Sequence, residues 1–189
     1  MFDYVIYGVV GLVVIVMIVL IVKASKRSKG ESEALREIGE SDPKRDYYVL
    51  STIQFHDGIR AAKIDHLVIN NSGIHAVLEY TIEGDIIGQE NDETWSFEHK
   101  GVSDTFINPI VTAKALRQSI DKVLKKDYPV FIYIVFPEKA SFKKRRMVYP
   151  VLSSLELKET MNHNFKSKKK ISSTDVKLIY DLFIKVKNR

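Results

Sequence analysis

Residues 64–80 hold two apolar runs, 64–70 and 74–80, split by Asn71-Ser72-Gly73. Asn and Gly tolerate the positive φ that a tight reversal needs, so the two runs are expected to pair as an antiparallel hairpin. A hairpin restricts a chain more than any other short feature, because its register decides which side chains share a face. Asp65 enters the first strand and Glu79 lies near the end of the second. Carboxylates brought side by side in this way could hold a metal ion.

The neighbouring segments extend the hairpin into a sheet. Residues 47–56 are rich in aromatic and β-branched types, and Asp57-Gly58 turns them into residues 61–70, which makes a three-stranded meander. Trp95 and Phe97 suggest a further short strand after Asn91-Asp92. Residues 130–136, VFIYIVF between Pro129 and Pro137, form an almost unbroken apolar run. Such a run reads as a strand buried on both faces, in the middle of a sheet. Residues 147–152 are expected to add another strand.

Helical spacing alternates with these strands. Ala34, Leu35 and Ile38 give residues 31–40 an apolar face, and Asp42-Pro43 ends the helix. Asn108-Pro109 opens a helix to about Lys125 that buries Ile110, Ala113, Leu116, Ile120, Val123 and Leu124. Residues 154–161 form a short helix. Residues 173–186 form a terminal one, capped at Ser173-Thr174-Asp175 and burying Val176, Ile179, Tyr180 and Phe183. The pieces assemble into an α/β fold: a mixed central sheet flanked by helices.

Residues 4–22 carry no charge and no proline, and as a helix they would span about 28 Å, close to the ~30 Å of bilayer hydrocarbon. A single N-terminal transmembrane helix is expected. Lys23, Lys26, Arg27 and Lys29 follow it, which places the C-terminal side in the cytoplasm. The expected organisation is a short external N-terminus at 1–3, a single-pass helix at 4–22, a basic juxtamembrane linker at 23–29 and a cytoplasmic domain at 30–189, with the cell membrane as localisation and partner. There are no cysteines, so a disulfide framework or thiolate metal site is excluded. The formal charge of +5 is compatible with nucleic acid or an anionic surface.

The five histidines show no helical i,i+4 zinc spacing, and no nucleophile elbow, phosphate loop or dinucleotide fingerprint is present. Two clusters, Lys143-Lys144-Arg145-Arg146 and residues 166–170, are basic, and Lys114 and Arg117 lie on the 109–125 helix. These are the candidate nucleic-acid contacts.

Ile64-Asp65-His66-Leu67-Val68, then Gly73-Ile74, then Gly84-x-Ile86-x-Gly88-x-Glu90-x-Asp92-x-x-Trp95, then Asn108-Pro109 resemble the nuclease-related domain (NERD) family over about residues 30–189. That family is placed in the PD-(D/E)XK restriction-endonuclease-like fold. The resemblance implies an acidic helix residue, an Asp, a Glu-x-Lys pair and a Gln as the catalytic set, with Mg²⁺ if the chain is active. The acidic helix residue would come from Glu31, Glu33 or Glu37, with Glu33 the candidate ligand. The Asp would be Asp65.

Phosphodiester hydrolysis of this kind needs converging carboxylates and a Lys near the attacking water, and Glu-x-Lys on a strand puts both groups on one face. Without gaps between Gly73 and Gly84, the family pattern puts Leu78 at the Glu position and Tyr80 at the Lys position, and Thr112 at the Gln position. Glu79 is one residue away, facing the other side unless a bulge turns it back.

Two functions follow. In one, the chain is a catalytically degenerate nuclease-like module at the membrane that binds nucleic acid or a protein partner. In the other, it is an active Mg²⁺-dependent nuclease using Asp65, Glu79, an acid of the first helix and Lys63 in place of the lost lysine. The first is favoured by Leu78, Tyr80 and Thr112.

Overall fold

The computed structural model describes residues 32–56, 61–142, 147–165 and 171–188. From Glu33 onward they belong to one compact unit, Glu33–Arg189. Five strands form the main sheet: β1 (Tyr48–His56), β2 (Ala61–Asn70), β3 (Gly73–Glu79), β7 (Val130–Phe136) and β9 (Val151–Ser153), in the order β1-β2-β3-β7-β9. The first three pair antiparallel, whereas β3 with β7 and β7 with β9 pair parallel. The sheet is therefore mixed, and the apolar run of β7 lies inside it.

A second sheet takes three strands from the chain between β3 and β7 and a fourth from just after β7. It holds β4 (Gly84–Ile87), β5 (Thr94–His99), β6 (Val102–Ile107) and β8 (Ala140–Phe142) in the order β6-β5-β4-β8. Among the described residues four α-helices accompany the sheets: α1 (Glu33–Ile38), α2 (Pro109–Val123), α3 (Ser154–Phe165) and α4 (Ser173–Lys187). Burial on the two faces of the main sheet explains the layering. Ile64, Leu67, Ile74 and Leu78 join the buried faces of α2 and α4 in the larger core. Val68, Val77, Tyr133 and Val135 join Ala34, Ile38, Leu157 and Met161 of α1 and α3 in the smaller one. The architecture is an α/β fold with helices on both sides of a mixed sheet.

Several boundaries differ from expectation for local reasons. The strand expected over 147–152 is confined to Val151–Ser153, because Pro150 has no N–H to donate and takes part only through its carbonyl, which accepts from Ile134 N. The terminal helix is capped one residue earlier, by the Ser172 hydroxyl accepting from Asp175 N.

The membrane assignment needs correction. The transmembrane helix expected at 4–22 and the linker at 23–29 lie outside the described residues. Among the described residues no helix is long and apolar enough to cross a membrane. The two longest, α2 and α4, have 15 residues each, which is about 22 Å against ~30 Å of hydrocarbon, and each buries only one face. A single-pass anchor, a membrane partner and a cell-membrane localisation thus gain no support from the structure and are set aside.

Candidate functional site

The centre of β1 and β2 departs from strand alternation. Leu50 and Ile53 enter the same core although three residues apart, and so do Ile64 and Leu67. Both strands change face at facing positions, since Ser51 pairs with His66 and Ile53 with Ile64. Thr52 takes up the change at φ 56°, a left-handed conformation that a β-branched residue adopts only under strain, at a cost of roughly 1–3 kcal/mol. Asp65 and His66 occupy this break.

Each carboxylate near the break is held by the protein itself. Asp65 Oδ1 pairs with Lys63 Nζ at 2.7 Å, and Oδ2 accepts from Glu79 N at 2.9 Å. Glu79 Oε1 accepts from Ala34 N, in the first turn of α1, at 3.2 Å, and Oε2 meets His66 Nε2 at 3.1 Å. The other ring nitrogen of His66 meets Ser51 Oγ at 3.0 Å. Glu33 Oε2 accepts from Ser154 Oγ at 2.7 Å and Glu138 N at 2.9 Å. Those two hydrogen bonds hold the Glu33 pKa below the usual carboxylate range, while burial and the Glu79 charge oppose them.

The other side of β3 is built of different material. Leu78 is buried in the larger core. Tyr80 stacks on Phe136 at 5.1 Å between centroids and packs against Phe106. Its phenol pKa is raised, first by burial and also by the Asp65 charge, with hydrogen bonding from Thr112 working the other way. Tyr80 and Thr112, where the resemblance puts Lys and Gln, therefore face each other, and Asp65 is a charge that the Tyr80 phenol senses. Glu79 remains on the far side of the strand, because β3 runs without a bulge from Ile74 to Glu79 in pairing with β7.

The residues do not fit the metal that the resemblance implies. Mg²⁺ demands a near-octahedral set of oxygens. Beside Asp65 stand the Lys63 ammonium, hydrocarbon and the Tyr80 phenol, and the Glu79 carboxylate is turned onto Ala34 N and His66. Among the described residues no group of three His, Cys, Asp or Glu is placed to hold an ion. Glu37 lies apart, lining a shallow cleft with Leu155 and Lys158 of α3, and Glu31 is outside the described residues.

Of the candidate nucleic-acid contacts, Lys114 is exposed on α2. Arg117 is committed to Asp121 through Nε, at 3.0 and 2.9 Å, and to Val130 O at 3.4 Å. Lys143, Lys144, Arg145 and Arg146 and the cluster at 166–170 lie outside the described residues.

Sequence reasoning missed His66 and Ser51. The signal was the register: His66 pairs with Val77, which makes Glu79 its diagonal neighbour on the next strand, within reach of a long side chain. It also missed a chain of polar groups at the other end of the hairpin. Asn164 Nδ2 donates to the Tyr133 hydroxyl at 2.8 Å, and that hydroxyl donates to His75 Nδ1 at 2.9 Å. His75 Nε2 donates to Ser72 Oγ at 2.8 Å, and the Ser72 hydroxyl donates to Asn70 Oδ1 at 2.6 Å. Only this direction gives every hydroxyl hydrogen an acceptor, so it fixes the His75 tautomer. His75 is fully buried between Phe131 and Tyr133, and burial lowers its pKa to about 3.

A hairpin bearing Asp65, a parallel partner strand and flanking helices define an α/β domain of nuclease-related type. The sequence model of the family described as the nuclease-related domain (NERD) matches residues 26–137, more than half of the chain, and the chain belongs to that family. An uncharacterized protein of Bacillus anthracis is 28% identical over 116 residues, which is 61% of this chain and 54% of the relative. The chain thus matches about half the length of that relative. No solved structure matches.

Proposed function

We propose that this chain is a nuclease-related domain that binds nucleic acid without hydrolysing it. One observation carries the proposal: at the end of β3, Leu78 is buried and Tyr80 faces Thr112, while the carboxylate of Glu79 is held on the opposite side by Ala34 N and His66. A water molecule beside Asp65 has no second carboxylate to activate it, and the Lys63 ammonium there is paired with Asp65 Oδ1 at 2.7 Å. Family membership and the formal charge of +5 support nucleic acid as the partner.

The test uses the full chain with single- and double-stranded DNA and with RNA, in Mg²⁺ or Mn²⁺. Expected are binding by fluorescence anisotropy that weakens with salt and no cleavage above a metal-free control. Metal-dependent cleavage abolished by both Asp65→Ala and Glu79→Ala would overturn the non-hydrolytic half. Absence of binding at low salt would overturn the nucleic-acid half.

A further inference from the structure

The helix that brings Thr112 to the Asp65 region turns another side to solvent. Ile110, Ala113, Leu116 and Ile120 of α2 are buried. Lys114, Gln118 and Lys122 follow one another at four-residue intervals, and all three are exposed. They form one row about 12 Å long on the outer side of the helix. Lys125 and Lys126 continue it in the exposed turn after the helix end. Lys126 is used by the protein, at 3.3 Å from Asp175 Oδ1. Lys114 and Lys125 have no hydrogen-bond or ion-pair partner among the described residues.

The sign of the charge on this side is set by few residues. Residues 109–127 hold five basic side chains, Lys114, Arg117, Lys122, Lys125 and Lys126, against Asp121 and Asp127. Arg117 covers Asp121, its Nε lying 3.0 and 2.9 Å from the two carboxylate oxygens, which neutralises the acid next to the row. The neighbouring helices mix their signs: α3 carries Glu156, Lys158 and Glu159, and α4 pairs Lys177 with Asp181 at 3.1 Å. Residues 1–31, 57–60, 143–146 and 166–170 each hold at least as many basic as acidic residues, so none of these segments brings a net negative charge to set against the row.

Charge and shape together select the partner. A small anion is held by donors that converge, whereas these lysines are spread along a line. Their row spans more than three phosphates of one duplex strand, which recur every ~3.4 Å along the axis. Val111, Lys114, Gln118 and Lys122 include no aromatic side chain, so nothing there stacks on a base. We propose that nucleic acid lies along the outer side of α2, held through its phosphate backbone by Lys114 and Lys125 with Lys122 between them, and without readout of base sequence. This rests on the nucleic-acid reading of the domain and assigns it a surface. Arg117, a contact expected from the sequence, instead keeps Asp121 neutralised.

The test measures fluorescence anisotropy of the full chain with short labelled duplexes of two unrelated sequences over about 0.05–0.2 M salt. Expected are equal affinities for the two sequences. Lys114→Gln/Lys125→Gln should weaken binding at least about tenfold at 0.1 M salt and reduce the slope of log affinity against log salt by about two. Lys185→Gln/Lys187→Gln, which removes the same charge from exposed positions of α4, should leave the slope unchanged, and so should Arg117→Gln/Asp121→Asn, which conserves net charge. All variants should keep the wild-type circular dichroism. No binding by the wild type would overturn the nucleic-acid reading and this surface with it. Binding by the wild type with equal losses in the α2 and α4 lysine variants, or with none in either, would overturn the surface alone. So would loss of binding in Arg117→Gln/Asp121→Asn, a preference between the two sequences, or displacement of the duplex by polyglutamate as readily, charge for charge, as by unlabelled duplex, which would point to an acidic protein.

Discussion

Acidification should act on the fold through His75. The ring is fully buried and neutral, with Nδ1 accepting from Tyr133 and Nε2 donating to Ser72. Protonation would put a charge where burial has lowered the pKa from 6.5 to about 3. The unfolded chain binds that proton near pH 6.5 and the folded chain does not, so stability falls as pH drops through 6.5 and continues to fall until about 3. Between pH 7 and pH 5 this linkage removes about 2 kcal/mol. The figure is insensitive to the folded pKa, because at pH 5 the folded ring is already almost wholly neutral. Urea unfolding of the wild type and of His75→Gln at both pH values isolates the effect, since all other titrating groups are shared. Gln lowers stability at pH 7 but should lose about 2 kcal/mol less on going to pH 5. Equal losses in the two proteins would refute the reasoning.

Glu79→Ala should cost about 1–3 kcal/mol by leaving Ala34 N and His66 without their acceptor, and Glu79→Gln should cost less, having kept one carbonyl oxygen; equal losses in thermal unfolding would show that the contacts are immaterial. Millimolar Mn²⁺ should raise the Tm of the wild type no more than that of Glu79→Gln, since among the described residues no group of three ligands is placed to hold an ion. Asn108→Asp should be worse than Asn108→Ala. It preserves the cap acceptor for Ile110 N yet sets an anionic oxygen against the carbonyls of Gln89, Glu90 and Asp92, to which Asn108 Nδ2 donates, and a reversed order of Tm values would contradict that geometry. Gly88→Ala should cost about 1–3 kcal/mol through its collision with Trp95, read as a lower Tm together with a changed Trp95 emission.

The meander and the flanking helices were legible because their signals are local. Asn71-Ser72-Gly73 marks a reversal, VFIYIVF a doubly buried strand, and Asn108-Pro109 a helix start whose cap is real, with Asn108 Oδ1 accepting from Ile110 N. The second sheet was mostly hidden. β6, VSDTFI, is exposed at all but one position, and the three residues each of β8 and β9 are too short to show a period. At the site, a single sequence gives the parity of Glu79 but not the backbone amide its carboxylate will reach, because Ala34 is brought there by packing of α1 on the smaller core. The break at Thr52 was equally hidden, as a β-branched residue in a strand gives no sign of positive φ.

The topology also orders events in time. β1, β2 and β3 pair with their immediate neighbours in sequence, whereas Ile74 of β3 pairs with Val130 of β7, across three strands of the second sheet and α2. Closing so long a segment must come before its contacts can stabilise anything, and non-local pairing of this kind slows folding. The N-terminal meander can therefore form while one edge of β3 is still bare, and a bare edge invites pairing with other chains. Refolding yield should accordingly fall with protein concentration, most steeply for substitutions in β7 that delay its arrival.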